Sequence, residues 1–225
     1  MSASAPPLPV AIEVEAARYA LLRRLAPSMR HHLVVNLQPI GMIYEVMDRR
    51  LKAPSPDLAH VQDSAGKING FAKSALAACV DVVSWLAPDD SAGIAVPEAA
   101  RECASLLSTS LSFRGYALRN EVGELTGTVR RPAIRHLLAG ALLHCTDHQP
   151  APAELVLTAS SEPDAAVLRV VVRPVDSDQG MGTEANYRRL TWGDLQALAD
   201  AEGVPLAREP NGLSLRLPWR SVAAG

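Results

Sequence analysis

Apolar residues recur every three or four positions from about Ala11 to Leu51, which predicts one long amphipathic helix. KAPSP, residues 52–56, breaks this pattern, and Ser55 followed by Pro56 has the residue types of an N-cap and a first helical position. A second helix is predicted to extend to about Leu86. The apolar stripe of the first helix comprises Leu22, Leu25, Met29, Leu33, Leu37, Ile40, Tyr44, Met47 and Leu51.

Two long helices joined by a short turn predict an antiparallel hairpin. Since two helices cover only one side of each other, the remaining stripe favours a dimer that forms a four-helix bundle. Residues 11–87 are therefore predicted to be a helical dimerisation domain, preceded by a frayed segment, residues 1–10.

The second half has the pattern of an α+β sandwich. Helices are predicted for Val96–Phe113, Arg131–Asp147 and Thr191–Ala201, and Arg114–Val122 alternates as a strand does. Clusters of β-branched residues, separated by turn sequences, predict two consecutive strands (Ala153–Ser160 and Ala166–Val172) and a final pair split by Pro210-Asn211-Gly212. Residues 94–225 are predicted to form this second domain.

Composition excludes several classes of protein. A formal net charge of −2 argues against sequence-independent nucleic-acid binding. The chain shows neither an apolar run of membrane-spanning length nor a signal peptide, so a cytoplasmic protein is expected.

The cysteines, Cys79, Cys103 and Cys145, form no CxxC pattern, and all three are predicted to be buried. Arginine pairs, including Arg23-Arg24, are predicted to lie on solvated helix ends or faces.

His31 and His32 are adjacent in the first helix. At 100° per residue, His31 lies about 180° from the centre of the apolar stripe, and His32 lies only about 80° from it. His31 should therefore face solvent or a partner. A shared metal ion is unfavourable because neighbouring residues on a helix diverge. A surface histidine beside a half-buried one is the alternative that geometry leaves open.

The segment His31-His32-Leu33-Val34-Val35-Asn36-Leu37-Gln38-Pro39-Ile40 resembles the phosphoacceptor box of bacterial sensor histidine kinases. Apolar residues match the family pattern at the second, sixth and ninth places after His31. The resemblance implies that His31 is the phosphoacceptor, with Arg30 able to steer phosphoryl oxygens. The family's acidic neighbour is replaced by His32, and its proline is displaced to Pro39. If Asn36 is the polar residue four places after the acceptor, His32 is the acceptor instead.

The second domain resembles the ATP-binding domain of these kinases in outline, but its phosphate-binding residues differ. If His148 holds the last place of the family's Asn box, the two asparagine places fall on Gly140 and His144, and the lysine place falls on Asp147. Glycine offers no side chain, His144 suits magnesium poorly, and Asp147 would repel phosphate.

Asp178, Gly180 and Gly182 resemble the family's adenine-binding Asp-x-Gly-x-Gly, although five residues separate them from the preceding strand. They are the cofactor-binding candidates if nucleotide binding survives. The glycine-rich second box of the family is not found in the sequence.

This combination is similar to dimeric, kinase-derived histidine phosphotransferases. It implies a phosphorelay protein that carries a phosphoryl group on His31 between response-regulator receiver domains, with no ATP, magnesium or other cofactor of its own. A divergent active histidine kinase is one alternative, and a non-catalytic dimeric scaffold or antagonist of two-component signalling is the other.

Overall fold

The computed structural model describes residues 11–175 and 187–220. Five helices and seven strands lie in this part of the chain, so the predicted α+β class is confirmed. In chain order they are α1 (Ile12–Leu51), α2 (Leu58–Leu86), β1 (Gly93–Ile94), α3 (Val96–Phe113), β2 (Tyr116–Asn120), β3 (Val129–Arg130), α4 (Arg131–His148), β4 (Ala153–Ser161), β5 (Ala165–Pro174), α5 (Trp192–Glu202), β6 (Leu206–Glu209) and β7 (Gly212–Pro218).

The chain divides into two compact units. One is Leu25–Pro88, and the other combines the described residues of Met1–Arg24 and Asp89–Gly225. The beginning of α1 therefore groups with the sheet, whereas the sequence assigned all of residues 11–87 to the helical domain. In the described residues, no helix has both the length and the apolar character needed to cross a membrane.

The larger unit is built on a five-stranded mixed sheet in the order β2-β4-β5-β7-β6. β2 pairs with β4 in parallel, and the other three pairings are antiparallel. A separate antiparallel pair, β1 with β3, was not predicted, because two-residue strands carry no readable periodicity. Buried aliphatic residues of α3, α4, α5 and the sheet form the core, with Ile134, Leu138, Leu155 and Leu168 fully inaccessible.

Helix ends follow local chemistry. Thr191 and Asp194 form a reciprocal capping box at the start of α5, and Gly203 ends this helix in the left-handed conformation. The start of α2 differs from the sequence prediction, because the N-cap is Asp57 rather than Ser55. The Asp57 side chain accepts a hydrogen bond from His60 N at 3.2 Å. Asp57 therefore satisfies one of the free backbone donors in the first turn of α2.

The turn between β6 and β7 requires glycine. Gly212 has φ +158°, and a Cβ atom there would overlap the carbonyl oxygen of Val170 on the adjacent strand. The predicted turn at Pro210-Asn211-Gly212 is confirmed. Cys79 is exposed, so its predicted burial was wrong, while Cys103 and Cys145 are buried as expected.

Candidate functional site

His31 is exposed on α1, and His32 is partly buried, as the helical arithmetic predicts. Their ring centres are 6.3 Å apart with a 56° angle between the planes, so the two imidazoles diverge. Arg30 is exposed next to His31. The site therefore presents one accessible imidazole and one guanidinium from a continuous helix.

Asn36 lies one turn after His32. Its side-chain nitrogen donates a hydrogen bond to the carbonyl oxygen of His32 at 2.8 Å. Pro39 lies inside the helix and leaves the carbonyl of Val35 without the usual intrahelical donor. Asn36 is thus tied to the backbone of its own helix, a contact that does not discriminate between His31 and His32 as the acceptor.

The two places that correspond to the Asn box lie on one face of α4, and α5 with its preceding segment covers that face. A Cβ atom on the buried Gly140 would come within 2.9 Å of Leu195 Cδ2. One turn later, His144 Nδ1 lies 2.8 Å from the carbonyl oxygen of Leu190. Leu195 therefore fills the space beside Gly140, and the Leu190 carbonyl holds the Nδ1 side of the His144 ring.

Asp147, at the lysine place, is a buried structural carboxylate. Arg24 donates to both of its oxygens, at 2.7 and 2.8 Å, and the backbone nitrogen of Leu190 donates to it at 2.9 Å. Arg114 lies 3.4 Å away. Burial alone would raise the pKa of Asp147, but the hydrogen bonds from Arg24 and Leu190 and the charges of Arg24 and Arg114 outweigh it and hold the pKa below its usual range.

This contact changes two sequence interpretations. Asp147 is neutralised by Arg24 and Arg114, so its charge is not free to repel a phosphate group as the sequence suggested. Arg24 was predicted to lie on a solvated face, but its side chain is 4% exposed, because its guanidinium pairs with Asp147. Sequence reasoning had no signal for a pair separated by 123 residues.

Asp178, Gly180 and Gly182 lie outside the described residues. The adenine-binding role that the resemblance gives them stays a prediction. The same holds for the roles of His31, His32, Asn36 and Arg30 in phosphoryl transfer.

Placing an asparagine at the first position of the Asn box should destabilise the protein. We expect Gly140→Asn to lower the free energy of unfolding by about 1–3 kcal/mol, because the side chain has to displace Leu195 from a packed helix interface. Gly70→Asn is the matched control, since a Cβ atom there meets nothing within 4 Å. Thermal or urea unfolding of both variants is the measurement, and an equal effect at the two positions would contradict the packing described.

Comparisons with models of protein families and with curated proteins found no match for this chain. Among solved structures, it is similar to the Acinetobacter baumannii histidine kinase AdeS, at 8% identity and a TM-score of 0.45, covering 81% of this chain and 98% of that one. It is also similar to the histidine kinase ThkA in complex with the response regulator protein TrrA, at 13% identity and a TM-score of 0.42, covering 91% and 64%.

A third similar structure is a bacterial phosphotransferase, at 14% identity and a TM-score of 0.39, covering 95% of this chain and 100% of that one. The neighbours thus include histidine kinases, the class of protein that the sequence resembles. At these identities the likeness concerns the fold alone.

Proposed function

We propose that this chain is a histidine phosphotransferase of a phosphorelay, which takes a phosphoryl group from one receiver domain onto His31 and gives it to another. The observation that carries the proposal is the exposed His31 imidazole on α1, within a segment that has the apolar spacing of a phosphoacceptor box. His32 is the second choice because it is partly buried.

The chemistry needs one nucleophile and correct placement. A lone pair on a ring nitrogen of His31 attacks the phosphorus of an aspartyl phosphate, a phosphorus–nitrogen bond forms, and the bond to the aspartate oxygen breaks. The electron pair of that bond leaves with the aspartate as a carboxylate. Attack by the carboxylate of a second receiver on the phosphohistidine reverses these steps, and Arg30 offsets charge on the phosphoryl oxygens.

The chain carries out this exchange without a nucleotide of its own. Three features of α4 support this part of the proposal: Gly140 packs against α5, His144 is bonded to the Leu190 carbonyl, and the Asp147 carboxylate is held by Arg24. In a working kinase the same face would have to accept phosphates and magnesium. Here, Leu195 of α5 occupies the space at the first Asn-box place, and the side chain at the second is an imidazole bonded to Leu190.

A receiver domain would contact the face of α1 that surrounds His31. Val35, Met42 and Val46 lie within about 60° of His31 around the helix, and 45%, 62% and 44% of their surfaces are exposed. Exposed apolar side chains of this kind, on the same side of the helix as the His31 imidazole, suit a protein partner better than a small molecule. We assign this face to the receiver.

The other uncovered face of the hairpin fits a second copy of the chain. Leu37 and Tyr44 on α1, and Leu76, Val80 and Val83 on α2, expose apolar side chains at helical spacing. A homodimer that buries them would form the four-helix bundle that the stripe predicts.

The molar mass of the purified chain, measured by light scattering at micromolar concentration, tests the dimer. We expect the mass of two chains, and the mass of one chain would contradict the dimer.

A charge placed in the receiver-docking face should slow transfer. We expect Met42→Glu to reduce the rate of phosphoryl transfer from a phosphorylated receiver at least about tenfold, since an unpaired carboxylate would be buried in the complex. Labelling by the small-molecule donor phosphoramidate should not change, because that reaction needs no docking. Phe113→Glu, at a residue 83% exposed on α3, is the matched control and should transfer normally. Equal rates for Met42→Glu and the unsubstituted protein would place the docking face elsewhere.

The function itself is tested by offering two phosphoryl donors separately. Labelled ATP alone should leave the chain unlabelled, and a phosphorylated receiver domain without ATP should label it. Label from ATP alone would identify a histidine kinase and overturn the proposal.

A further inference from the structure

Two histidines at the end of α4 lie one turn apart on the same face. His144 and His148 are four residues apart, a spacing that brings side chains together on a helix. Their ring centres are 4.2 Å apart, with 37° between the ring planes. This pair differs from His31 and His32, whose rings diverge.

Backbone carbonyls fix the orientation of both rings. His144 Nδ1 lies 2.8 Å from the oxygen of Leu190, and His148 Nδ1 lies 2.9 Å from the oxygen of His144. A carbonyl oxygen accepts hydrogen bonds and cannot donate them, so each Nδ1 carries the hydrogen. In a neutral imidazole the lone pair is then on Nε2. Within residues 11–175 and 187–220, neither Nε2 atom takes part in a hydrogen bond.

Both rings line a cavity of about 380 Å³ between the end of α4, the start of α5 and the β6–β7 turn. Trp192, Arg208 and Glu209 also line it, and the Arg208 guanidinium lies over the Trp192 ring at 4.6 Å.

We propose that His144 and His148 form a two-histidine chelate for a transition-metal dication such as Zn²⁺, Ni²⁺ or Cu²⁺. Imidazole nitrogen suits these ions, whereas magnesium prefers oxygen ligands. Histidines that bind metals typically donate their other ring N–H to a carbonyl or carboxylate, as both residues do here. A tetrahedral ion with bonds of about 2.05 Å needs its two nitrogens about 3.3 Å apart, and residues four apart on a helix can supply such a pair.

The two histidines supply only part of the coordination shell. In the part of the chain that the structure describes, no group of three or more metal-ligating side chains has the geometry to hold an ion. The other positions are taken by water or by an external ligand that enters the cavity. The site is independent of phosphoryl transfer, because it uses neither His31 nor a nucleotide.

Titration calorimetry of the full chain tests the chelate directly. Metal-free protein at pH 7.5 is titrated with Zn²⁺ alone and, separately, with Mg²⁺ alone. We expect one Zn²⁺ per chain, no Mg²⁺ binding, and loss of at least about tenfold in Zn²⁺ affinity in His148→Asn, since even indirect partners of a metal site contribute about 10–100-fold. His60→Asn, which removes an exposed histidine of α2, is the matched control and should bind as before.

Cu²⁺ gives a second readout that does not depend on affinity. The electron paramagnetic resonance spectrum of the Cu²⁺-loaded chain should show two coordinated imidazole nitrogens, and that of His148→Asn should show one. His148 is exposed, so its replacement leaves the core unchanged. Absence of Zn²⁺ binding, or equal binding by the chain and by His148→Asn, would overturn the proposal.

Discussion

His31→Gln is expected to abolish phosphoryl transfer from a phosphorylated receiver, with a loss of at least about a thousandfold. The reason is that glutamine has no nucleophilic ring nitrogen, and the removal of a covalent nucleophile leaves no alternative route for the transferred group. His31 is exposed, so the replacement removes the nucleophile without disturbing a packed interior. The measurement is transfer of labelled phosphate from the receiver to the chain, followed over time at equal protein concentrations.

His32→Gln is the matched control one residue along the same helix. His32 is partly buried, and under the proposed function it is only a neighbour of the acceptor, so we expect transfer to stay within about tenfold of the original rate. The reverse pattern, in which His32→Gln abolishes transfer and His31→Gln does not, would make His32 the acceptor and Asn36 its polar partner. Full transfer by both variants would remove this segment from the chemistry.

Asp147→Asn is expected to lower the free energy of unfolding by about 3–5 kcal/mol, the usual consequence of removing one partner of a buried ion pair. The side chains of Asp147 and Arg24 are 3% and 4% exposed, so Arg24 would be left as an uncompensated buried charge. Urea unfolding of the variant measures the loss. Replacement of both partners, in Arg24→Met with Asp147→Leu, should recover much of it, because the desolvation cost of both charges is removed.

The same pair predicts a pH dependence. The pKa of Asp147 is held below its value of about 3.9 in an unfolded chain, so the stabilising contribution is present above that pH. It is lost as the pH falls through about 4 towards the lower pKa of the folded state. The difference in stability between the unsubstituted protein and Asp147→Asn should therefore shrink in this range. A difference independent of pH would contradict the ionic origin of the contact.

Much of the fold was readable from the sequence because its elements are long and strongly patterned. The stripe that includes Leu33 and Ile40 predicted α1, and the clusters of β-branched residues predicted β4 and β5. The exposure of His31 followed from its angle to that stripe. Local chemistry was read less well, since Ser55 and Asp57 both have N-cap residue types and only the geometry of the turn selects Asp57.

Contacts between distant residues could not be read in this way. Arg23 and Arg24 are adjacent residues of the same type, yet of these two only Arg24 contacts Asp147 and is buried. In the structure Arg24 lies three positions after the buried Leu21 and four before the buried Ser28, so it belongs to a buried face of the helix. The pairing of His144 with Leu190 likewise depends on how α5 packs against α4, which no local pattern encodes.

Under the proposed function, His31 carries a phosphoryl group received from a receiver domain. The most direct measurement is mass spectrometry of the chain under conditions that preserve phosphohistidine, after incubation with a phosphorylated receiver and no ATP. We expect one phosphoryl group per labelled chain, located at His31, and its disappearance when a second, unphosphorylated receiver is added. A phosphoryl group at another residue, or one that appears only with ATP, would contradict the proposed function.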